Sequence, residues 1–249
     1  MKIGIIGAGN IGGTLSQKLV ALGHSVAIAN SRGPDTLKDL ATKVGARAVT
    51  VEDAVKDVEL VIVTIPQKNV PQLPAGLFRN VPANVIVVDT GNYYPAIRDG
   101  QIAELESGTA ESVWVSKQLG RPVFKVFNNI MAHSLVEGPR PRGAKDRIAL
   151  PISGDDANGK KVLLDLVDAL GFDGVDAGPL AESWRQQPGT PVYCTDLDAE
   201  GVRRALQSAE RAKSAERRDL SIEKMSKLPP GSTPRDIIAM AREIQHAPT

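Results

Sequence analysis

A single cysteine, Cys194, stands in 249 residues, so no intrachain disulfide framework is available and a reducing, cytoplasmic setting is expected. Aromatic side chains are scarce, with four Phe, two Trp and three Tyr, too few for a stacking platform that would bind single-stranded nucleic acid. Net charge is almost absent. The 30 basic and 29 acidic side chains leave a formal +1, which removes the bulk electrostatic reason to seek DNA or RNA. No run of about 18 apolar residues exists to cross a bilayer, so no membrane partner is expected. The apolar start of the chain fails as a signal peptide, because Asn10, Gln17 and Lys18 interrupt it and no small-x-small cleavage pattern follows. Cys, His and carboxylate residues nowhere fall at metal-ligand spacing, and no metal is expected.

What the chain does have is 42% hydrophobic residues and 23 glycines, and the placement of both is informative. Short Val/Ile-rich runs alternate with helical patterns. Lys2–Gly7 reads as a strand, after which Ile11, Leu15, Leu19 and Leu22 recur at helical spacing. Ser25–Asn30, Ala46–Val51, Leu60–Ile65, Val85–Asp89 and Val123–Phe127 supply five more strands, and Pro34–Val44 a helix with Pro at its first position and Gly45 beyond its end. Continuous apolar strands separated by helices indicate a parallel sheet covered on both faces, an α/β doubly wound fold. Arg147–Ser153, a helix striped by Leu163, Leu166, Val167 and Leu170, and a strand at Phe172–Asp176 extend this domain over residues 1–177. Residues 178–249 then form a mostly helical C-terminal part, in which Glu182–Thr190 is a polar loop, Asp198–Lys227 a long, charge-laced helical stretch whose charges read as a solvated face or a dimer contact, and Thr233-Pro234 the opening of a last helix.

Gly7-Ala8-Gly9-Asn10-Ile11-Gly12 is a G-x-G-x-x-G element lying directly after a strand and at the opening of a helix, the context in which that pattern binds a dinucleotide. Gly7 serves the tight turn, Gly9 the close approach of a pyrophosphate, and Gly12 the packing of helix on strand, while the helix amides face the phosphates. The second strand ends Asn30-Ser31-Arg32, without the carboxylate that accepts the ribose 2′-hydroxyl of NAD. A serine hydroxyl and a planar cation suit a 2′-phosphate, so NADP(H) is the expected cofactor. Thr64, Ile65 and Pro66 end the fourth strand, where they would line the path toward the nicotinamide, unless Pro66 and Gly91 serve only as turn formers.

Met1–Arg32 resembles the NADPH-dependent reductases of the deazaflavin coenzyme F420, the F420:NADP oxidoreductases and their bacterial dinucleotide-binding relatives. Val61–Pro66, the segment VFNNIMA at Val126–Ala132 and Trp184-Arg185-Gln186-Gln187-Pro188-Gly189 extend the likeness to about three quarters of the chain. The resemblance implies a Rossmann-type domain, a small C-terminal part closing over the nicotinamide, direct hydride transfer to a deazaflavin ring, and a homodimer. It also implies that the glycine loop, Ser31 and Arg32 hold NADP and that Asn128–His133 lies beside the nicotinamide and a small-molecule redox acceptor. Asn92, Asn128, Asn129 and Ile130 are the candidates to contact that acceptor, and His133 is the one acid–base candidate, although ring-to-ring transfer requires no obligatory side-chain proton. The loop Arg140–Arg147 is basic, either to steer an anionic acceptor or as a plain exposed loop, and Trp184 either covers the site or anchors the C-terminal part.

Two other functions stay open on the residues alone. An NADPH-dependent reductase of a flavin, an imine or a ferric chelate would share the cofactor site. The chain has Asn128-Asn129-Ile130 where pyrroline-carboxylate reductases carry Met-Pro-Asn, and no Lys/Asn pair of the β-hydroxyacid dehydrogenases is found. A non-catalytic NADPH-binding sensor module is the reading from another class.

Overall fold

The computed structural model describes residues 1–246. In chain order the elements are β1 (Lys2–Ile6), α1 (Asn10–Ala21), β2 (Ser25–Ala29), α2 (Lys38–Val44), β3 (Arg47–Ala48), β4 (Leu60–Val63), β5 (Ile86–Asp89), α3 (Ala103–Glu106), α4 (Glu111–Leu119) and β6 (Phe124–Lys125). The remainder comprises α5 (Ala132–Glu137), β7 (Ala149–Ile152), α6 (Ala157–Ala169), β8 (Asp173–Asp176), α7 (Ala199–Gln207), α8 (Arg211–Ser226) and α9 (Pro234–His246).

Six strands form one parallel sheet in the order β3-β2-β1-β4-β5-β6, with the register Ile3↔Val26 on one side of β1 and Ile3↔Leu60 on the other. The chain leaves β1 toward β2 and β3, then returns to β4 on the opposite side. The switch point therefore lies between β1 and β4, where open sheets of this class bind ligands at the carboxyl ends of their strands. Both faces are covered. Ile3, Ile5, Leu15, Leu19 and Ile28 belong to one buried cluster, and Ile6, Val61, Val63 and Val87 to the other. Each such fully buried aliphatic side chain contributes about 1.5–3 kcal/mol of transfer free energy.

The structure departs from the sequence expectations in four places. The third and sixth strands shrink to two residues each, because β3 is an edge strand and β6 is left abruptly at Phe127, whose backbone is left-handed at φ 64°. The strands β7 and β8 do not continue the main sheet; they pair with each other in parallel, with α6 as their crossover, and an isolated antiparallel bridge between Lys125 and Ser153 links them to β6. The long helical stretch expected at Asp198–Lys227 divides into two helices. Glu210 is extended at φ −113° and ψ 107°, and the Arg185 guanidinium donates to the Leu206 carbonyl at 3.1 Å, so α7 ends and α8 sets off anew. The break lets Val202, Ala205 and Leu206 pack with Ala149 and Val175 beneath α7. Finally, the segment expected as a polar loop at Glu182–Thr190 begins with a 3-10 turn over Leu180–Gln186 that buries Ser183, Trp184 and Gln186.

Candidate active site

The glycine turn is built by two different constraints. Gly7 has φ 116°, and a Cβ there would lie 2.2 Å from the Thr64 carbonyl oxygen; one on Gly12 would lie 2.0 Å from the Gly7 oxygen. These two glycines are required by the approach of strand, turn and helix to one another. A Cβ on Gly9 would meet nothing within 4 Å. Gly9 therefore faces open space, which is what a backbone approached by a phosphate needs. It is also the N-cap of α1, where no side chain caps the helix and no acid sits in the first turn. The amides of Asn10, Ile11 and Gly12 form the helix's positive end, a ready anion site.

That turn opens onto a cleft of about 710 Å³ at the β1/β4 switch point. Its walls carry Gly7, Gly9, Asn30, Ser31, Arg32, Thr64, Ile65 and Pro66. Arg32 and Ser31 are exposed at the rim, and Arg32 forms no salt bridge among the described residues. Asn30 shapes the rim rather than reaching out: its Oδ1 accepts from the Arg32 amide at 2.9 Å and its Nδ2 donates to the Thr36 hydroxyl at 2.9 Å. The cleft also contains Thr50, Val51 and Glu52 after β3, and Asn69, Gln72, Leu73 and Pro74 after β4. No local motif marks those residues; they reach the cleft because their strands are neighbours in the sheet. Among the described residues, Arg32 and Glu52 are its only ionisable lining residues.

Beneath the carboxyl ends of β4, β5 and β6 lies a buried polar network. Lys125 is wholly inaccessible, and its ammonium donates to the Gly91 carbonyl at 2.9 Å and to Glu111 at 3.3 Å, with Asp89 at 3.8 Å. Asp89 in turn accepts from the Gly91 amide at 2.8 Å and from the Ser112 hydroxyl at 2.6 Å. Gly91 is thus gripped at both its N–H and its C=O. Burial pushes the Glu111 carboxyl up, opposed by the neighbouring Lys125. A charged residue inside the apolar run Val-Phe-Lys-Val-Phe was the available sequence signal, since a lysine in a buried strand needs buried partners. Gln67, directly after Pro66, is also fully buried beside Gly91, and neither atom of its amide has a partner among the described residues.

The four acceptor-side candidates occupy the frame of the site rather than the lining of the cleft. Asn128 donates to Asn92 Oδ1 at 3.0 Å and to the Gln186 carbonyl at 2.7 Å, and accepts from the Gln186 amide at 2.9 Å. Gln186 further accepts from the Ser153 hydroxyl at 2.7 Å, so this network joins β5, β7, the turn after β6 and the 180–187 segment. Asn92 donates to the Asn128 carbonyl at 2.9 Å. Asn129 and Ile130 are buried; the Asn129 carbonyl accepts from the Cys194 amide at 2.9 Å, while its side-chain oxygen has no partner among the described residues. His133 is exposed on α5 and lies outside the cleft lining. Nearby, the hydroxyls of Tyr94 and Tyr193 meet at 2.5 Å, and burial pushes the Cys194 thiol up to about 12.

Two further sequence questions resolve. Trp184 anchors the C-terminal part: it is buried under the guanidiniums of Arg185 and Arg211, 4.4 and 5.5 Å from its ring, and does not line the cleft. The basic 140–147 loop is largely neutralised, with Arg140 on Asp146, Arg142 on Asp168, and Arg147 on Asp168 and Asp173. Among the described residues no group of His, Cys, Asp or Glu could hold a metal, and no helix is long and apolar enough to cross a membrane. The His246 side chain lies outside the described part.

Comparison with known proteins agrees with this geometry. Residues 2–93, which contain the whole cleft lining, match the family described as NADP oxidoreductase, coenzyme F420-dependent. The Escherichia coli (strain K12) protein YjhV is 38% identical over 104 residues, 42% of this chain and 76% of that protein. The metalloreductase STEAP3 of Rattus norvegicus is 27% identical over 183 residues, 73% of this chain but 35% of its own length. A crystal structure from Arthrobacter sp. FB24, described as a candidate F420-dependent NADP reductase, shares the fold with a TM-score of 0.62 at 23% identity, covering 74% of this chain and 87% of that one. With its glycine turn, uncapped α1 and β1/β4 cleft, the chain belongs to the F420-dependent NADP oxidoreductase family, a family of NADP-dependent oxidoreductases.

Proposed function

We propose that this protein carries a hydride between NADP(H) and the deazaflavin ring of coenzyme F420. The residues fit the dinucleotide. Gly9 and the amides of Asn10, Ile11 and Gly12 would hold its pyrophosphate, Ser31 and Arg32 its 2′-phosphate, and Thr64, Ile65 and Pro66 its nicotinamide half. Bound NADPH would supply the hydride and leave as NADP⁺, and the oxidised deazaflavin would take that hydride at a ring carbon together with one proton from solvent. The residues of the chain bind, orient and exclude water. The observation that carries this reading is the composition of the cleft: among the described residues Arg32 and Glu52 are its only ionisable lining residues, and the 64–66 and 73–74 walls offer Thr, Ile, Leu and Pro. A wall without a proton donor suits ring-to-ring transfer, for which stacking and orientation suffice.

The likeness to STEAP3 over 73% of the chain supports a second reading, in which the same cleft serves reduction of a ferric chelate through a flavin. The two readings separate in one assay. NADPH oxidation is followed with oxidised F420, with FMN, and with FMN plus ferric citrate. Turnover with F420 at least about tenfold faster than with FMN, or about 1.4 kcal/mol in transition-state binding, is expected. Turnover confined to the flavin or ferric arms removes F420 and keeps the reductase. Tight NADPH binding with no oxidation in any arm removes the enzyme reading in favour of a sensor.

A further inference from the structure

The helices α8 and α9 pack on each other and only marginally on any other helix or strand. Burial of apolar surface is the usual force that holds a helix on a domain. Here it contributes little. Among the described residues, none beyond Leu206 belongs to the four apolar clusters of the body. The buried residues of α8 are two arginines, Arg217 and Arg218, and the buried Met240 and Ile244 of α9 stand outside those clusters too. Two open clefts run between the pair and the body. One, of about 780 Å³, is lined by Arg242 of α9, the 145–147 loop, the 191–198 segment and α7. The other, of about 180 Å³, is lined by Arg211, Ser214 and Arg218 of α8 and by Tyr93, Glu111 and Trp184. Protein interiors are close-packed, so a junction crossed by two clefts is a loose one.

The tethers across this junction are polar. Arg211 donates to the Gly108 carbonyl and lies over the Trp184 ring at 5.5 Å, and Arg218 lies over the Tyr93 ring at 5.5 Å. From α9, Arg242 donates to the carbonyls of Thr195 at 2.8 Å and Asp196 at 3.1 Å. Gly189, left-handed at φ 86°, comes so near the backbone of Ser214 and Arg218 that a Cβ would not fit. The chain enters the pair through Ser208-Ala209-Glu210, where helical geometry is interrupted. We infer that α8 and α9 form a hinged strap, which opens from the body as one unit about residues 208–210 while the sheet stays folded. Opening uncovers Trp184 and Tyr93 and merges the two clefts into one surface. An element held by a few polar contacts opens at a lower free energy than the core, and guanidinium–ring contacts are individually weak. The strap is independent of the identity of the hydride acceptor.

The test is hydrogen exchange of the full chain, read by mass spectrometry at two protein concentrations. Peptides from residues 211–246 are expected to exchange at least about tenfold faster than those of β1, β4 and β5, equally at both concentrations. Arg211→Ala on α8 and Arg242→Ala on α9 should each speed exchange about tenfold in both helices and leave the sheet peptides unchanged. Arg211 is exposed, so Arg211→Ala keeps the test informative if Arg242→Ala does not fold. Faster exchange confined to the helix that carries the substitution overturns the proposal, because the two helices then fray separately. Equal exchange in strap and sheet also overturns it, since the strap then opens only with global unfolding. So does exchange of the strap that slows as concentration rises, because a second copy of the chain then holds it in place.

Discussion

Arg32 and Glu52 line one cleft with opposite charge, and under the proposed function the balance between them is expected to set the dinucleotide preference. Arg32 stands at the end of β2 without an ionic partner among the described residues, and Glu52 arrives from the turn after β3. A 2′-phosphate gains a charge-assisted bond from the first and repulsion from the second. NADP is therefore expected to bind more tightly than NAD by about tenfold, and Arg32→Ala to abolish that preference, a change of about 1.4 kcal/mol. Glu52→Gln should strengthen NADP binding and leave NAD no better bound. Fluorescence titration of both nucleotides against the three proteins checks this, and equal affinities in the unaltered protein would refute the role given to Arg32. Arg32 was legible in the sequence because it abuts a motif. Glu52 was not, because only the pairing of Ala27 with Arg47 brings the end of β3 alongside β2.

At the scale of the element, β6 is the informative strand. It is two residues long, yet its Lys125 holds the carbonyl of Gly91 and faces two carboxylates in a dry interior. Removing one member of a buried ion cluster leaves the others uncompensated, so Lys125→Met should cost about 3–5 kcal/mol of stability in chemical denaturation. The loss should depend on pH. The Glu111 carboxyl is raised by burial, so the folded chain holds that proton more tightly than the unfolded chain does. Its contribution is present below the unfolded value of 4.5 and is lost as pH rises through the folded one. Without Lys125 the folded value rises further, and the variant should be less destabilised at low pH than at neutral pH. A pH-independent difference would show that Glu111 is not protonated in the variant. Hydrophobic period revealed where β6 and its neighbours lie, but strand ends are decided by neighbours. The same limit hid the break between α7 and α8, since the charge pattern runs on through Ser208-Ala209-Glu210 without interruption.

Across the whole molecule, Gln186 ties the C-terminal part to the sheet. Its buried side chain bonds Asn128 and Ser153, and the adjacent Gln187 accepts from the Glu111 amide at 3.0 Å. Gln186→Leu leaves those partners unsatisfied and should lower stability by about 1–3 kcal/mol. Because the network crosses between the two parts, near- and far-ultraviolet circular dichroism should report one shared transition in the parent and the variant alike. Separate transitions in the parent protein would show that residues beyond 177 fold on their own.

The sequence by itself determined the parallel α/β architecture, the dinucleotide turn and the Asn30-Ser31-Arg32 rim, since each is a local pattern: apolar runs of strand length, glycines at fixed offsets, and a cation at a strand end. Tertiary structure alone decided that Asn128 is a clamp in the frame of the site, that Lys125 and Glu111 meet in the interior, and that Arg211 of α8 lies over Trp184. Those groups are separated along the chain by between 14 and 58 positions. Only the sheet order and the docking of α8 bring them together, and no spacing in the sequence encodes the free energy of a contact made across that distance.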